Sequence, residues 1–352
     1  MYGVRPHTRQ AMAKQITPQG LLPQRHPTGD FFVCDFVGAS PKDDLGSMEH
    51  PIFSLSTRPD QRVLSYAHKG TSVQVTPSVK GRATIHDKDI LIYCISQLMA
   101  GVNAGREVSR TLTLRAHDLL VATNRDTSGD AYARLKEAFE RLVGTRITTN
   151  LETGGLEITS GFGLIESWEI VRKSRGGRMV SVMVTLSEWL FRSVLAKSVL
   201  TLSPDYFRLR KPLERRVYEL ARKHCGRQPS WRISLTTLHH KAGSAAPLRV
   251  FRAAVRRMIV ANHLPDYTLT EEPGDIIAFA RRDTTSQQVL DPQGDAPVLS
   301  QAAFEAVRAY APGADVYALE AEWRDVWSRT GHARLRDPDG AFVGWVKKRL
   351  AL

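Results

Sequence analysis

Between residues 246 and 261 the apolar positions Leu248, Phe251, Val255, Met258 and Ile259 recur at i, i+3, i+7, i+10 and i+11. That spacing predicts one buried face of an amphipathic helix. The same pattern occurs earlier in the chain at Tyr132, Leu135, Phe139 and Leu142. Two shorter helical stretches precede each stripe. In the later copy, residues 212–225 predict a first helix and 232–235 a short extended link. A second helix follows to about residue 241, capped by Ser234, and Gly243 and Ser244 turn the chain into the third. In the earlier copy, residues 89–102 predict the first helix, 112–114 the link, 115–122 the second helix and 130–143 the third, with Ser128 or Asp130 as its cap.

Alternating segments come after both third helices. Residues 267–270 and 276–279 predict a hairpin around the Glu-Glu-Pro-Gly-Asp stretch at 271–275, and residues 147–150 and 156–159 predict another through 152–155. Three helices followed by a two-strand hairpin is the winged-helix order, in which the third helix enters the major groove. Repetition at domain scale strengthens that assignment. The expected fold class is α+β, with two tandem winged-helix domains and a small C-terminal helical segment. Residues 1–29 are expected to be a disordered basic tail and 30–185 the first winged-helix domain with added strands. The second domain is expected at 186–282, a polar linker at 283–299 and the helical segment at 300–352. Between the two units, residues 164–171 and 179–185 predict strands around a basic glycine turn carrying Arg175 and Arg178, and residues 187–199 predict a helix. That turn tracks phosphate or is simply a hairpin tip. Helices at 300–310, 316–329 and 338–350 form too small a segment to fold well alone, so packing on the second domain is expected.

Charge sharpens this picture. The chain carries a formal net charge of +13, and residues 205–262 hold 14 Lys and Arg against only Asp205, Glu214 and Glu219, a net +11. From Leu220 to Asn262 there is no Asp or Glu at all. Arg249, Arg252 and Arg256 repeat the core spacing one residue later, so they form a second stripe about 100° around the helix, with Arg257 beside it. With no carboxylate nearby in sequence, these side chains suit phosphate oxygens and guanine edges. Arg249, Arg252 and Arg256 are expected in the major groove, and Arg257, Lys241 and Arg232 on phosphates. In the first copy Arg134 and Lys136 share the exposed face with Glu137 and Glu140, leaving DNA contact and protein contact both open. Arg115 is a candidate backbone contact.

Cys34, Cys94 and Cys225 lie far apart without a CxxC, so neither a disulfide framework nor a structural zinc is expected. No phosphate-binding Gly-x-x-x-x-Gly-Lys-Ser/Thr loop is present, and His239-His240 lacks the His-x-His spacing of nickases. No metal, cofactor or enzymatic activity is expected. The absence of a long apolar run predicts no membrane span, and the start lacks a secretory pattern.

Several stretches carry a family likeness. They are Phe-Phe-Val-Cys-Asp at 31–35, Pro-Lys-Asp-Asp at 41–44 and Met-Glu-His-Pro-Ile-Phe-Ser-Leu at 48–55. Asp-Lys-Asp-Ile-Leu-Ile-Tyr at 87–93, Asp-Ala-Tyr-Ala-Arg-Leu at 130–135 and Pro-Leu-Glu-Arg-Arg-Val-Tyr at 212–218 continue the series. Together they resemble the plasmid-encoded replication initiator protein A family, over roughly residues 28–285. The resemblance implies binding to repeated origin sequences (iterons), melting of adjacent AT-rich DNA and recruitment of host initiator proteins and the replicative helicase. It also implies a bacterial cytoplasmic protein that dimerises through its first winged helix, the dimer acting as autorepressor and the monomer as initiator. A transcriptional regulator with the same folds is the alternative, and a nicking or strand-transfer enzyme a more distant one.

Overall fold

The computed structural model describes residues 21–26, 40–68, 71–153, 156–172, 179–226, 228, 230–282, 299–329 and 337–350. The Phe31–Asp35 stretch, Arg175 and Arg178, Arg227, most of the expected tail and nearly all of the expected linker lie outside them. Residues 21–26 are held in place. Leu22 and Arg208 exchange hydrogen bonds of 2.9 and 2.8 Å, and the Arg25 amide donates to Asn124 Oδ1 at 2.8 Å.

A short strand β1 (Lys42–Asp44) runs into a one-turn helix α1 (Leu45–Glu49), whose N-cap Asp44 accepts from the Ser47 amide. The hairpin β2 (Leu64–His68) and β3 (Thr71–Thr76) leads to helix α2 (Lys88–Asn103). Every α2 residue from Lys88 to Met99 is buried, because β1 and later segments of the chain pack around it. Strand β4 (Thr111–Arg115) feeds helix α3 (Ala116–Ala122), and α4 (Gly129–Gly144) follows with Leu135, Phe139 and Leu142 facing inward as their spacing requires. Two long hairpins come next, β5 (Arg146–Thr153) with β6 (Leu156–Gly163), and β7 (Ile165–Arg172) with β8 (Met179–Leu186). Helix α5 (Glu188–Leu195) is shorter than the expected 187–199, since residues 199–201 form strand β9 (Val199–Thr201).

The strand pairing departs from the sequence expectation. The hairpin β5–β6, expected as the first wing, joins β2 and β3 in a four-stranded sheet of order β2-β3-β5-β6, and β4 pairs instead with β8 in the order β4-β8-β7. The hairpin that closes on the link strand is therefore β7–β8. Local alternation identifies a strand but not its partner, which explains the misassignment.

The second unit begins after a 3-10 turn at Pro204–Arg208. It comprises α6 (Pro212–His224), β10 (Ser230–Ser234), α7 (Leu235–Ala242), α8 (Leu248–Ala261), β11 (Tyr267–Glu272) and β12 (Ile276–Arg281). Ser234 caps α7 by accepting from Thr237 N, and Gly243 leaves α7 at φ 65°, as the sequence predicts. The sheet order is β10-β12-β11, the same arrangement of link strand and hairpin as β4-β8-β7. Helices α9 (Gln301–Tyr310), α10 (Val316–Arg329) and α11 (Pro338–Leu350) share a small core of Val307, Trp323 and Phe342. They pack on the second unit, where Arg222 reaches Asp315 at 3.6 Å.

The two units are stitched together. Strand β1 pairs with β9, and Met48 of α1 and Ile92 of α2 belong to the apolar core of the second unit.

Candidate nucleic-acid interface

Helix α8 is anchored through Phe251, Val255 and Met258, all buried, with Leu248 and Ile259 flanking them half-buried. Its opposite side is open. Arg249, Arg256 and Arg257 are exposed there together with Val250, Ala253 and Val260. Arg252 is partly buried, with 28% of its side chain accessible.

Carboxylates from the hairpin that follows reach back onto this stripe. Arg256 donates Nε and Nη2 to the two oxygens of Glu271 at 2.8 and 2.9 Å, a bidentate pair. Arg252 Nη2 meets Asp275 Oδ2 at 2.5 Å, and on the neighbouring strand Arg232 Nε lies 3.0 Å from Glu272 Oε2. The hairpin turn is tethered, because the Asp275 carbonyl accepts from Leu235 N at the start of α7 at 2.7 Å. Asp275 itself adopts φ 58° beside Gly274 at φ 84°, a left-handed geometry that Asp tolerates better than most residues. The Arg256 hydrogen bonds hold the Glu271 carboxyl below the usual carboxylate range.

This overturns the expectation that the arginine stripe has no carboxylate to pair with. Of the thirteen described basic residues in the 205–262 window, ten have an ion-pair partner. Many of those partners come from outside the window, among them Glu49, Asp89, Glu271, Glu272, Asp275 and Asp315. A count of charge along the sequence therefore overstates the free charge on the surface. Among the described residues no ion pair is found for Arg249, Arg257 or Arg210, and the first two lie on the open side of α8.

Lys241 does not belong to this face. It is buried and its Nζ lies 2.5 Å from Glu49 Oε1, so it has no surface to offer a phosphate. Helical periodicity around residues 235–241 could not show this, because Glu49 comes from a distant segment. In the first unit Arg134 and Lys136 are exposed on α4, and Lys136 is only loosely paired with Glu140 at 3.8 Å. Arg115 is exposed at the end of β4. Arg134 faces a cleft of about 540 Å³ that Arg25, Arg58 and Arg210 also line, a gathering from four separate segments that no local motif signals. Arg141 instead grips Asp87 with Nε and Nη2 at 2.7 and 2.8 Å.

The junction between the units holds buried charge. Lys88 Nζ sits 2.6 Å from Asp43 and 3.1 Å from Glu219, and none of the three is more than 1% exposed. Arg215 reaches Asp89 at 2.5 Å, and Arg216 donates to the carbonyls of Ser47, Met48, Glu49 and Lys241. Burial, with Glu219 and Asp44 beside it, pushes the Asp43 carboxyl up to about 8 against the pull of Lys88. Glu49 collects Lys223, His224 and Lys241, which hold its carboxyl well below the usual range although its partial burial opposes that. Among the described residues no group of three or more His, Cys, Asp or Glu is arranged to hold a metal ion, and no helix is long and apolar enough to cross a membrane.

The profile of the family described as "Replication initiator protein A" matches residues 42–269. The chain belongs to that family. It is also 38% identical over 258 residues to a "Putative replication protein" of Wigglesworthia glossinidia brevipalpis, covering 72% of this chain and 94% of that protein. Two solved structures of RctB domains 2 and 3 align over 68% of this initiator-family chain. One covers 97% of the solved chain at 15% identity and a TM-score of 0.47, and the other 96% at 14% and 0.49. The stretches at 41–44, 48–55, 87–93 and 212–218 that carry the resemblance meet at the junction of buried charge.

Proposed function

We propose that this replication initiator is a sequence-specific double-stranded DNA-binding protein built on two tandem winged helices, with α8 as its principal reading helix. The carrying observation is the open side of α8. There Arg249, Arg256 and Arg257 stand exposed on a helix fixed from behind by Phe251, Val255 and Met258, beside a hairpin in the position of a wing. A rigid helix presenting guanidinium groups suits the major groove. The neighbouring Val250, Ala253 and Val260 suit thymine methyl groups. Arg249 and Arg257, lacking carboxylate partners among the described residues, serve as phosphate contacts. Arg134, Lys136 and Arg115 extend backbone contact along the first unit. The sites bound are repeated origin sequences, and the protein opens the adjacent DNA and recruits host replication proteins there. The protein exchanges between monomer and dimer.

Footprinting of purified protein on DNA flanking its own gene, at about 0.15 M salt with excess non-specific competitor, tests this reading. The salt matters because phosphate contacts alone bind any sequence at low ionic strength. Regularly phased protection over several direct repeats is the expected result. A single protected palindrome at a promoter would replace initiation with transcriptional regulation, and no protected site would sink sequence-specific binding altogether.

A further inference from the structure

The carboxylates facing α8 pose a problem for a purely electrostatic DNA grip. Glu271, Glu272 and Asp275 all lie on the hairpin beside the reading helix, where each repels the phosphate backbone. Such groups lower affinity for DNA of any sequence, so a surface built only to hold phosphate gains nothing from them. Their geometry is what gives them a use.

A guanidinium has two edges that can make paired hydrogen bonds, one through Nε and an Nη nitrogen and one through the two Nη nitrogens. Glu271 occupies the first edge of Arg256 with both of its oxygens. Among the described residues nothing bonds to Nη1, so the edge formed by Nη1 and Nη2 is open, and 58% of the Arg256 side chain remains accessible. An arginine gripped in this way points end-on from its helix in one orientation, and the free edge matches the O6 and N7 acceptors of guanine. Arg252 is held differently. Only its Nη2 meets Asp275, and its Nε is buried without a hydrogen-bond partner, so it lies under the hairpin rather than projecting from α8. Arg249 and Arg257 have no ion pair among the described residues and remain free to swing toward phosphates. The four arginines of one stripe thus divide into one oriented group, one tucked group and two mobile ones.

We infer that Glu271 is a positioning residue for sequence reading: it orients Arg256 for a guanine edge and gives up non-specific affinity for specificity. This rests on the proposal that α8 reads DNA. Glu271 touches DNA only through Arg256, so its effect must vanish when Arg256 is absent. The opposite role, in which Glu271 merely masks Arg256 from DNA, predicts a different result.

The test uses the full chain and its E271Q, R256A and doubly substituted forms, with a duplex selected by the wild-type protein from a library with a randomised centre and a scrambled duplex of equal composition. The specificity ratio between the two duplexes is expected to fall roughly tenfold in E271Q, while binding to the scrambled duplex is unchanged or tighter. In the R256A background the same E271Q change is expected to leave the ratio where R256A alone puts it. Equal tightening on both duplexes would mean a mask and overturn the inference, as would an E271Q effect that persists without Arg256. A wild-type protein that selects no sequence at all would instead remove the proposed DNA-reading function and this inference with it. Because the pair is exposed, the thermal midpoint of E271Q should match wild type, which separates the effect from misfolding.

Discussion

Arg215→Met is the substitution that most directly probes the junction between the two units. Arg215 is 4% exposed and makes three polar contacts: Asp89 Oδ1 at 2.5 Å, the Leu209 carbonyl at 2.9 Å and the Phe207 carbonyl at 3.3 Å. Methionine keeps the length of the stem and its packing near the Tyr206 ring but removes every donor. Asp89, 1% exposed, is then left with Arg125 at 3.1 Å. Breaking a buried pair costs about 3–5 kcal/mol, and the surviving Arg125 contact places this case at the low end. The Leu209 carbonyl loses its donor as well, which adds about 1 kcal/mol. Together about 4 kcal/mol is expected. The assay is urea unfolding followed by tryptophan fluorescence, since Trp168 and Trp189 pack in the first unit and Trp231 in the second. A companion cycle with Asp89→Asn should show a coupling of about 2 kcal/mol. A loss below about 1 kcal/mol, or strictly additive effects, would refute the view that this pair holds the units in register.

Glu49→Gln should lower stability near neutral pH by about 2 kcal/mol, because the ammonium groups of Lys223 at 2.8 Å and Lys241 at 2.5 Å lose their carboxylate partner. Its folded carboxyl lies well below the ordinary value of 4.5, so the stabilisation is fully present above that value and is lost progressively as the pH falls from there toward the lower folded value. The gap between variant and wild type in denaturant titrations should therefore be constant above about pH 5 and begin to narrow below about pH 4.5, and a gap that stays constant or widens as the solution is acidified would contradict the assignment. Gly243→Ala should cost about 3 kcal/mol, since the residue sits at φ 65° and an added Cβ would lie 2.4 Å from Pro51 Cβ of the first unit. Gly105→Ala, at φ 68° with open space around it, should lose only about 1 kcal/mol; equal losses would argue against tight docking at Pro51. Cys94 and Cys225 have thiols that burial pushes up to about 12 and about 11, so iodoacetamide at pH 8 should label neither until urea unfolds the protein, as peptide mass mapping would show.

Much of each unit was legible because its signals are local. The stripes Leu135, Phe139, Leu142 and Phe251, Val255, Met258 gave α4 and α8, the Ser234 cap and Gly243 bounded α7, and alternation marked both strands of the hairpins β5–β6, β7–β8 and β11–β12, though not of β2–β3. What failed was non-local. The pairing of β4 with β8, the three-residue strands β1 and β9 and the sheet formed by β2 and β3 with β5 and β6 depend on which distant strand completes a buried face. Helix α2 hid its central place for a related reason, since a helix buried all round has no polar stripe to orient it. At the candidate site the stripe of arginines was visible but its neighbours were not. Glu271 and Asp275 follow α8 closely in sequence, yet only the folded hairpin turns them back onto Arg256 and Arg252.

The family stretches acquire a physical meaning from where they converge. Asp43, Lys88, Asp89, Arg215, Arg216 and Glu219 contribute little to stability for the desolvation they cost, since buried ion pairs often do no better than apolar replacements. They do make every alternative docking of the two units expensive, because any shift leaves an uncompensated charge among buried groups. A protein that places two reading helices on one duplex needs a fixed distance between them more than it needs extra stability. On the proposed function, the junction supplies that distance: α2 and α6, each adjoining its own unit's reading layer, are locked through Lys88 and Arg215. On that reading, residues far from the DNA-facing arginines set the spacing at which α4 and α8 approach the duplex, Arg249 and Arg257 hold its phosphates, and Arg256 sets what is read there.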